Sequence, residues 1–122
     1  MTLPKGAERR IAKIDSTELG WEDHGIFTAI VGLDYGTGGH QSAGLYALDE
    51  YDKALDRRVG SKEGMDFIIR LLRACGVDKW ESLIGRTVYA VSTSNKVLAI
   101  EPLPTEPGEA FWFDSLWEGE TT

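Results

Sequence analysis

The sequence predicts an α+β domain: an antiparallel β-sheet with one main amphipathic helix and a short second helix. Three observations predict it. Short runs carry apolar residues at every second position, the period of a half-buried strand. Residues 61–76 alone repeat apolar residues at helical spacing, between a serine and a glycine. Pro102, Pro104 and Pro107 then stop regular structure ahead of a final aromatic cluster, because proline lacks the amide proton that a helix or sheet ladder needs.

Residues 8–17 mix Ile11, Ala12 and Ile14 with charged residues, the pattern of an edge or half-exposed strand. From Gly25 to Tyr35 the pattern is cleaner. Phe27, Ala29, Val31, Leu33 and Tyr35 share one face, and Ile26, Thr28, Ile30, Gly32 and Asp34 share the other, as in a central strand. The turn Gly36-Thr37-Gly38-Gly39 follows. Glycine takes positive φ at little steric cost and lets a ligand or a second backbone come close, at an entropic cost on folding. This stretch therefore reads either as a tight turn or as a site. His40 to Leu48 returns as the partner strand of a hairpin, with Ser42, Gly44, Tyr46 and Leu48 alternating against Gln41, Ala43, Leu45 and Ala47.

Asp49 to Gly60 alternates in charge and reads as a solvated loop or a short helical turn. The main helix comes next. Ser61 is its N-cap, Glu63 suits the positive end of its dipole, and Met65, Ile68, Ile69 and Leu72 form its apolar stripe. Arg70 and Arg73 complement the carboxyl end, and Gly76 supplies the left-handed stop. Asp78 and Glu81 have capping-box spacing and open the short second helix, which carries Trp80 and Leu83 and ends at Gly85. Thr87 to Ser92 and Lys96 to Glu101 are two further strands joined by a polar turn. After the proline-rich arm, Phe111, Trp112, Phe113, Leu116 and Trp117 are too apolar to leave in water, since burial is worth roughly 1.5–3 kcal/mol for each large side chain. They pack on the core or on another subunit. The domain reading is a flexible stretch over residues 1–7, one ligand-binding domain over 8–117 and a flexible tail over 118–122.

A chain of 122 residues holds one such domain. Its formal charge of -7 argues against duplex nucleic acid as a partner, because that affinity comes mainly from Lys and Arg neutralising phosphates. A small anionic ligand remains compatible, held by a few arginines and backbone amides. The lone Cys75 allows no intramolecular disulfide, suits a reducing cytoplasm and sits in an apolar helical pattern as an inert thiol. Residues 1–10 lack the apolar stretch of a signal peptide, and no apolar run approaches membrane-spanning length, so no membrane partner is expected.

Catalytic chemistry is thinly represented. Glu22-Asp23-His24 brings acid–base residue types together, yet neighbours on an extended chain point apart, so a loop that orients its own backbone is the simpler reading. His24, His40 and Cys75 show no metal-ligand spacing, and neither a metal nor a cofactor is expected. A different set suits a phosphorylated ligand. Gly38, Gly39, Gln41 and Ser42 offer amides and uncharged polar groups, and Ser94 and Asn95 offer a polar turn. Arg57, Arg58 and Arg86 offer bidentate donors, while Tyr35, Tyr46, Phe67 and Trp80 offer stacking surfaces. Taken singly, each has an ordinary structural explanation, as a solvated arginine or a core aromatic.

The order of three stretches carries a resemblance: EDHG at Glu22–Gly25 with the glycine-rich hairpin from Tyr35 to Tyr46, then GMDFI at Gly64–Ile68 with GVDKWESL at Gly76–Leu83, then FWFDSLW near the end. Over residues 11–117 the chain resembles the phage sponge proteins of the first type of Thoeris anti-defence. The resemblance implies a binding protein, not an enzyme, in the cytoplasm of the host bacterium. Such a protein captures cyclic ADP-ribose isomers made by TIR-domain enzymes, in some members also CBASS-type cyclic oligonucleotides, and releases them intact. It also implies a homodimer or higher homo-oligomer with ligand pockets near subunit boundaries. Arg57 or Arg58 and Asn95 occupy plausible ligand positions of the family. The chain departs from it in the second hairpin strand, Gln41-Ser42-Ala43-Gly44-Leu45-Tyr46, where a glycine-glycine-aromatic environment is expected. The expected ligand-binding set is thus Gly39, Gln41, Ser42, Tyr46, Arg57, Arg58, Phe67, Arg86, Ser94 and Asn95. Two other functions compete: an acidic protein–protein inhibitor of a host defence protein, and a hydrolase or lyase using His24.

Overall fold

The computed structural model describes residues 2–117. The expected tail over 118–122 lies outside them. Eight strands and one helix follow in the order β1 (Glu8–Trp21), β2 (Phe27–Asp34), β3 (His40–Leu45), β4 (Asp49–Asp52), β5 (Arg57–Gly60), α1 (Lys62–Cys75), β6 (Thr87–Ser92), β7 (Val97–Glu101) and β8 (Phe111–Trp112). Six strands form one antiparallel sheet in the order β3-β2-β1-β6-β7-β8, and β4 and β5 pair separately. This is the α+β architecture that the alternating runs and the single helix predict.

Of the two readings of residues 8–17, β1 is the half-exposed strand and not an edge. It runs 14 residues to Trp21 and sits in the middle of the sheet. Lys13 to Trp21 pair with β2 and Glu8 to Lys13 pair with β6. A register shift between Ile14 and Ser16 places a bulge at Asp15, and bulges bend a strand and sharpen its twist. Charged residues are tolerated at this central position because one face of β1 stays in water. On that face Arg9 donates to Glu101 of β7 at 2.7 Å, and Trp112 Nε1 donates to the same carboxylate at 3.3 Å. The other face buries Ala12 and Ile14 with Ala29, Val31 and Leu33 of β2, the alternation read in the sequence. β3 ends at Leu45, three residues sooner than expected, as the chain turns toward β4.

Asp49 to Gly60 is a β-hairpin, not a solvated loop or helical turn. Asp56 turns it with φ 51°. The organising group is Asp49, which is buried and accepts from Arg58 Nε at 2.8 Å, Arg58 Nη2 at 3.0 Å and the Phe27 amide at 3.2 Å. The Arg58 hydrogen bond is the main cause holding the Asp49 carboxyl below its usual range, with burial working the other way. Because the folded state lowers this pKa, the unfolded chain binds more protons in acid. The stabilisation is therefore complete above the ordinary carboxylate pKa of about 4 and is lost as pH falls through the lower folded value. The stability difference between wild type and Asp49→Asn, measured by urea denaturation, is expected to be largest near neutral pH and to shrink below about pH 4. A difference that stays constant from neutral pH to about pH 3 would refute the role given to this pair.

α1 starts and stops where the sequence places it. Ser61 Oγ accepts from the Gly64 amide at 2.9 Å, and Gly76 takes φ 67° while its amide reaches the Arg73 carbonyl at 3.2 Å. Its buried face differs from the expected stripe. Gly64, Phe67, Leu71, Ala74 and Cys75 face the sheet, while Met65 is 58% exposed and Ile69 40%. Ile68 and Leu72 pack at the margin of the core. The expected second helix is one 3-10 turn, Trp80–Ser82, whose N-cap position is Lys79 and has no side-chain cap, so the capping box at Asp78 and Glu81 does not form. The aromatic end packs on its own core through Phe67, Phe111 and Phe113, 5.0–5.7 Å apart between ring centroids, but Trp117, expected to be buried with them, is 46% exposed. Burial pushes the Cys75 thiol up to about 12, as expected of an inert core cysteine.

Candidate functional site

The register of β1 creates a gap in the sheet's cover. The last residue of β1 paired to β2 at that end is Lys13, opposite Asp34, so Arg10 lies three residues beyond β2. The chain leaving β2 passes through Tyr35 and a 3-10 turn over Gly36–Gly38 before β3 begins. A cleft of about 400 Å³ opens between this turn, the start of β1 and the end of β6, within the ordinary range of small-ligand sites.

Its floor is cross-linked by Tyr35. The phenol donates to Gln41 Oε1 at 2.7 Å and lies 3.5 Å from Ser92 Oγ, joining β3 to β6. Gln41 Nε2 then donates to the Thr93 carbonyl at 3.0 Å, which fixes the orientation of its amide. One face of the Tyr35 ring carries the Arg10 guanidinium, 3.8 Å from the centroid. Arg10 Nη2 also donates to the Gly38 carbonyl. A Cβ at Gly38 would meet the Arg10 guanidinium and displace it from this position. Gly39 takes φ 101°, a conformation that side chains resist, and its carbonyl closes the turn on the Tyr35 amide at 2.9 Å. Glu8, His40 and Ser94 line the rim. The His40 ring is turned outward, with Nε2 3.1 Å from Asp15 Oδ1, and this contact is the main cause lowering the Asp15 pKa.

No family model, curated protein or solved structure matches the chain. The chemistry of this cleft therefore carries the functional argument.

Of the residues expected to bind ligand, the cleft gathers Gly39, Gln41 and Ser94. The rest are elsewhere or already engaged. Ser42 points to the opposite face of the sheet from Gln41, as neighbours on a strand must. Tyr46 is 64% exposed beyond the far end of β3, roughly 17 Å along the strand from the cleft. Phe67 is 1% exposed and belongs to the core. Arg58 is committed to Asp49, and Arg57 is exposed on the same hairpin. Arg86 donates from Nε to the Cys75 carbonyl at 3.0 Å and pairs with Glu106, so it closes the end of α1. Asn95 sits in the β6–β7 turn, its amide bonded to Thr93 Oγ1 at 3.2 Å, and does not line the cleft. Tyr35 offers no free stacking face on the side that Arg10 covers.

The residue that sequence reasoning missed is Arg10. In an edge strand it reads as one more solvated charge, and only the pairing of β1 with β6 brings it over Tyr35. A register argument from the length of β1 was the one signal available.

A larger cleft, about 660 Å³, lies at the other end of the β1–β2 hairpin and contains none of the expected ligand residues. Glu18, Glu22 and Asp23 line it beside Trp21, which is 66% exposed. Its three carboxylates make it a poor host for a phosphate. Glu22 serves its own loop, accepting from the amides of His24 and Ile26 at 2.5 and 3.2 Å and contacting His24 Nδ1 at 3.0 Å. Among the described residues no His, Cys, Asp and Glu group is arranged to hold a metal ion, and no helix is long and apolar enough to cross a membrane.

Proposed function

We propose that the protein binds a cyclic nucleotide signal of the cyclic ADP-ribose class and withholds it without chemical change, as the phage anti-defence sponges that its sequence resembles are expected to do. The observation that supports this reading is the Arg10–Tyr35–Gln41 cleft. It joins a glycine turn to a cationic, hydrogen-bonding floor and holds no nucleophile with an adjacent base. Sequestration requires affinity alone. Micromolar to nanomolar dissociation constants correspond to about -8 to -12 kcal/mol, within reach of a few charge-assisted hydrogen bonds of roughly 1.5–3 kcal/mol each with partial ring burial. The proposal includes action in the host bacterial cytoplasm as a homodimer or higher homo-oligomer, with CBASS-type cyclic oligonucleotides as a second ligand class.

Calorimetric titration with cyclic ADP-ribose isomers and with cyclic di- and trinucleotides tests it, followed by denaturation and chromatography of what was bound. Tight, saturable binding with recovery of the unaltered nucleotide is the expected result. Absence of binding by every member of the panel, or turnover at substoichiometric protein, would overturn it.

A second reading, an acidic inhibitor docking on a basic host protein, is favoured by the larger cleft with its three carboxylates and exposed Trp21. That reading expects association with a protein partner that weakens steeply with salt.

A further inference from the structure

The geometry points to Arg10 as the anion receptor of the 400 Å³ cleft, taking a phosphate ester or pyrophosphate group of the bound ligand. This deepens the nucleotide reading of that cleft by assigning its ligand-holding charge. Among the described residues Arg10 is the one lysine or arginine lining the cleft. Several other arginines are already paired: Arg9 with Glu101, Arg58 with Asp49 and Arg86 with Glu106. Among the described residues no carboxylate stands within ion-pair distance of Arg10, although Glu8 lines the same cleft.

The guanidinium is held on two sides before any ligand arrives. Tyr35 lies beneath it at 3.8 Å, and the Gly38 carbonyl takes a hydrogen from Nη2. Tyr35 is itself fixed by Gln41 and Ser92. A guanidinium carries five N–H donors in a planar fork, so those not spent on Gly38 are available at a set angle. Planar, preoriented donors suit the paired oxygens of a phosphate, and fixing them in advance removes part of the entropic cost of binding. A side chain at Gly38 would displace the guanidinium from this position. Because Arg10 covers the Tyr35 ring, the aromatic supports the cation instead of stacking on a base. Glu8, which lines the same cleft, offers an acceptor for ribose hydroxyls and so favours a sugar-linked phosphate.

The test is a nitrogen–proton correlation NMR titration of the full chain with inorganic pyrophosphate, ADP-ribose and cyclic ADP-ribose, with adenosine as the uncharged control. Saturable shifts at Arg10 Nε and at the Gly38, Gly39 and Ser94 amides are expected with the phosphate-bearing probes and not with adenosine. Arg10→Lys keeps the charge but loses the planar fork, and is expected to weaken ADP-ribose by about 10-fold or more; Arg10→Gln is expected to abolish the shifts. Retained spectral dispersion reports folding of each variant, and the wild-type map stands without them. Shifts confined to other residues, or an Arg10→Gln variant that binds like wild type, would overturn the assignment. If cyclic nucleotides bind tightly and Arg10→Gln leaves that unchanged, Arg10 fails while sequestration survives. If pyrophosphate and ADP-ribose map to Arg10 but no cyclic nucleotide binds, Arg10 stands and the sequestration reading falls.

Discussion

Replacing Phe67 with alanine is expected to destabilise the protein by about 3–5 kcal/mol, the usual cost of removing a buried aromatic ring when the surroundings collapse only in part. Phe67 is 1% exposed and joins α1 to the carboxyl-terminal segment through Phe111 and Phe113, 5.6 and 5.7 Å away. Both neighbours lose a partner at once, and the pairing of the short β8 strand with β7 spans only two residue pairs. Urea denaturation followed by tryptophan fluorescence measures the loss, Trp112 lying in β8 itself. A change under about 1 kcal/mol would mean that the aromatic cluster is not the junction between helix and carboxyl-terminal segment. Because Phe67 is buried in the core, binding per folded molecule should be unchanged.

The second large effect is expected at Gly64, where two influences oppose each other. Alanine is the better helix former by about 1 kcal/mol. A Cβ at this position, however, would lie 2.6 Å from both Cα and the carbonyl carbon of Leu48 and still closer to its oxygen. That same oxygen accepts from the Ser61 amide and from Ser61 Oγ, each at 3.0 Å. Pushing the first turn of α1 away from Leu48 therefore strains the N-cap as well as the packing. Overpacking against backbone typically costs about 1–3 kcal/mol, and the additional strain on the cap makes a net loss the expected result for Gly64→Ala. Gly60→Ala is the matched control, because a Cβ there meets open space, and a change within about 0.5 kcal/mol is expected. Equal or greater stability of Gly64→Ala than of wild type, in the same denaturation experiment, would show that propensity outweighs the contact.

Gly64 also shows why the helix face was misread. Phe67, Ile68, Ile69, Leu71 and Leu72 give α1 an apolar arc wider than the strip it buries, so periodicity allows more than one orientation. What selects among them is close approach: Gly64 and Ala74 are small enough to let the helix come down on Leu48 and the sheet. Steric fit of this kind involves residues far apart in sequence and leaves no mark in a local window. The hairpin of β4 and β5 was missed for a related reason. Its charges look like a solvated loop until Asp49 and Arg58, nine residues apart, are seen to neutralise each other beside the amide of Phe27.

The candidate site divides in the same way. Gly39, Gln41 and Ser94 were legible because glycine turns and polar strand ends have a local chemistry. Arg10 was not, and two of the three arginines chosen in its place proved to be engaged in holding the fold, Arg58 on Asp49 and Arg86 on the end of α1, while Arg57 is exposed away from the cleft.

By itself the sequence determined the α+β class, the strands β2 and β6, the ends of α1 and the packing of Phe111, Phe113 and Leu116 on the core, though not the exposure of Trp117. Each depends on alternation, capping or hydrophobicity within a few residues. Only the tertiary structure decided that β1 is central, which face of α1 is buried, that residues 49–60 pair as strands and that Arg10 lies over Tyr35. These depend on strand register and on contacts between distant segments, where a charge that looks solvated in sequence finds its partner only when the chain closes on itself.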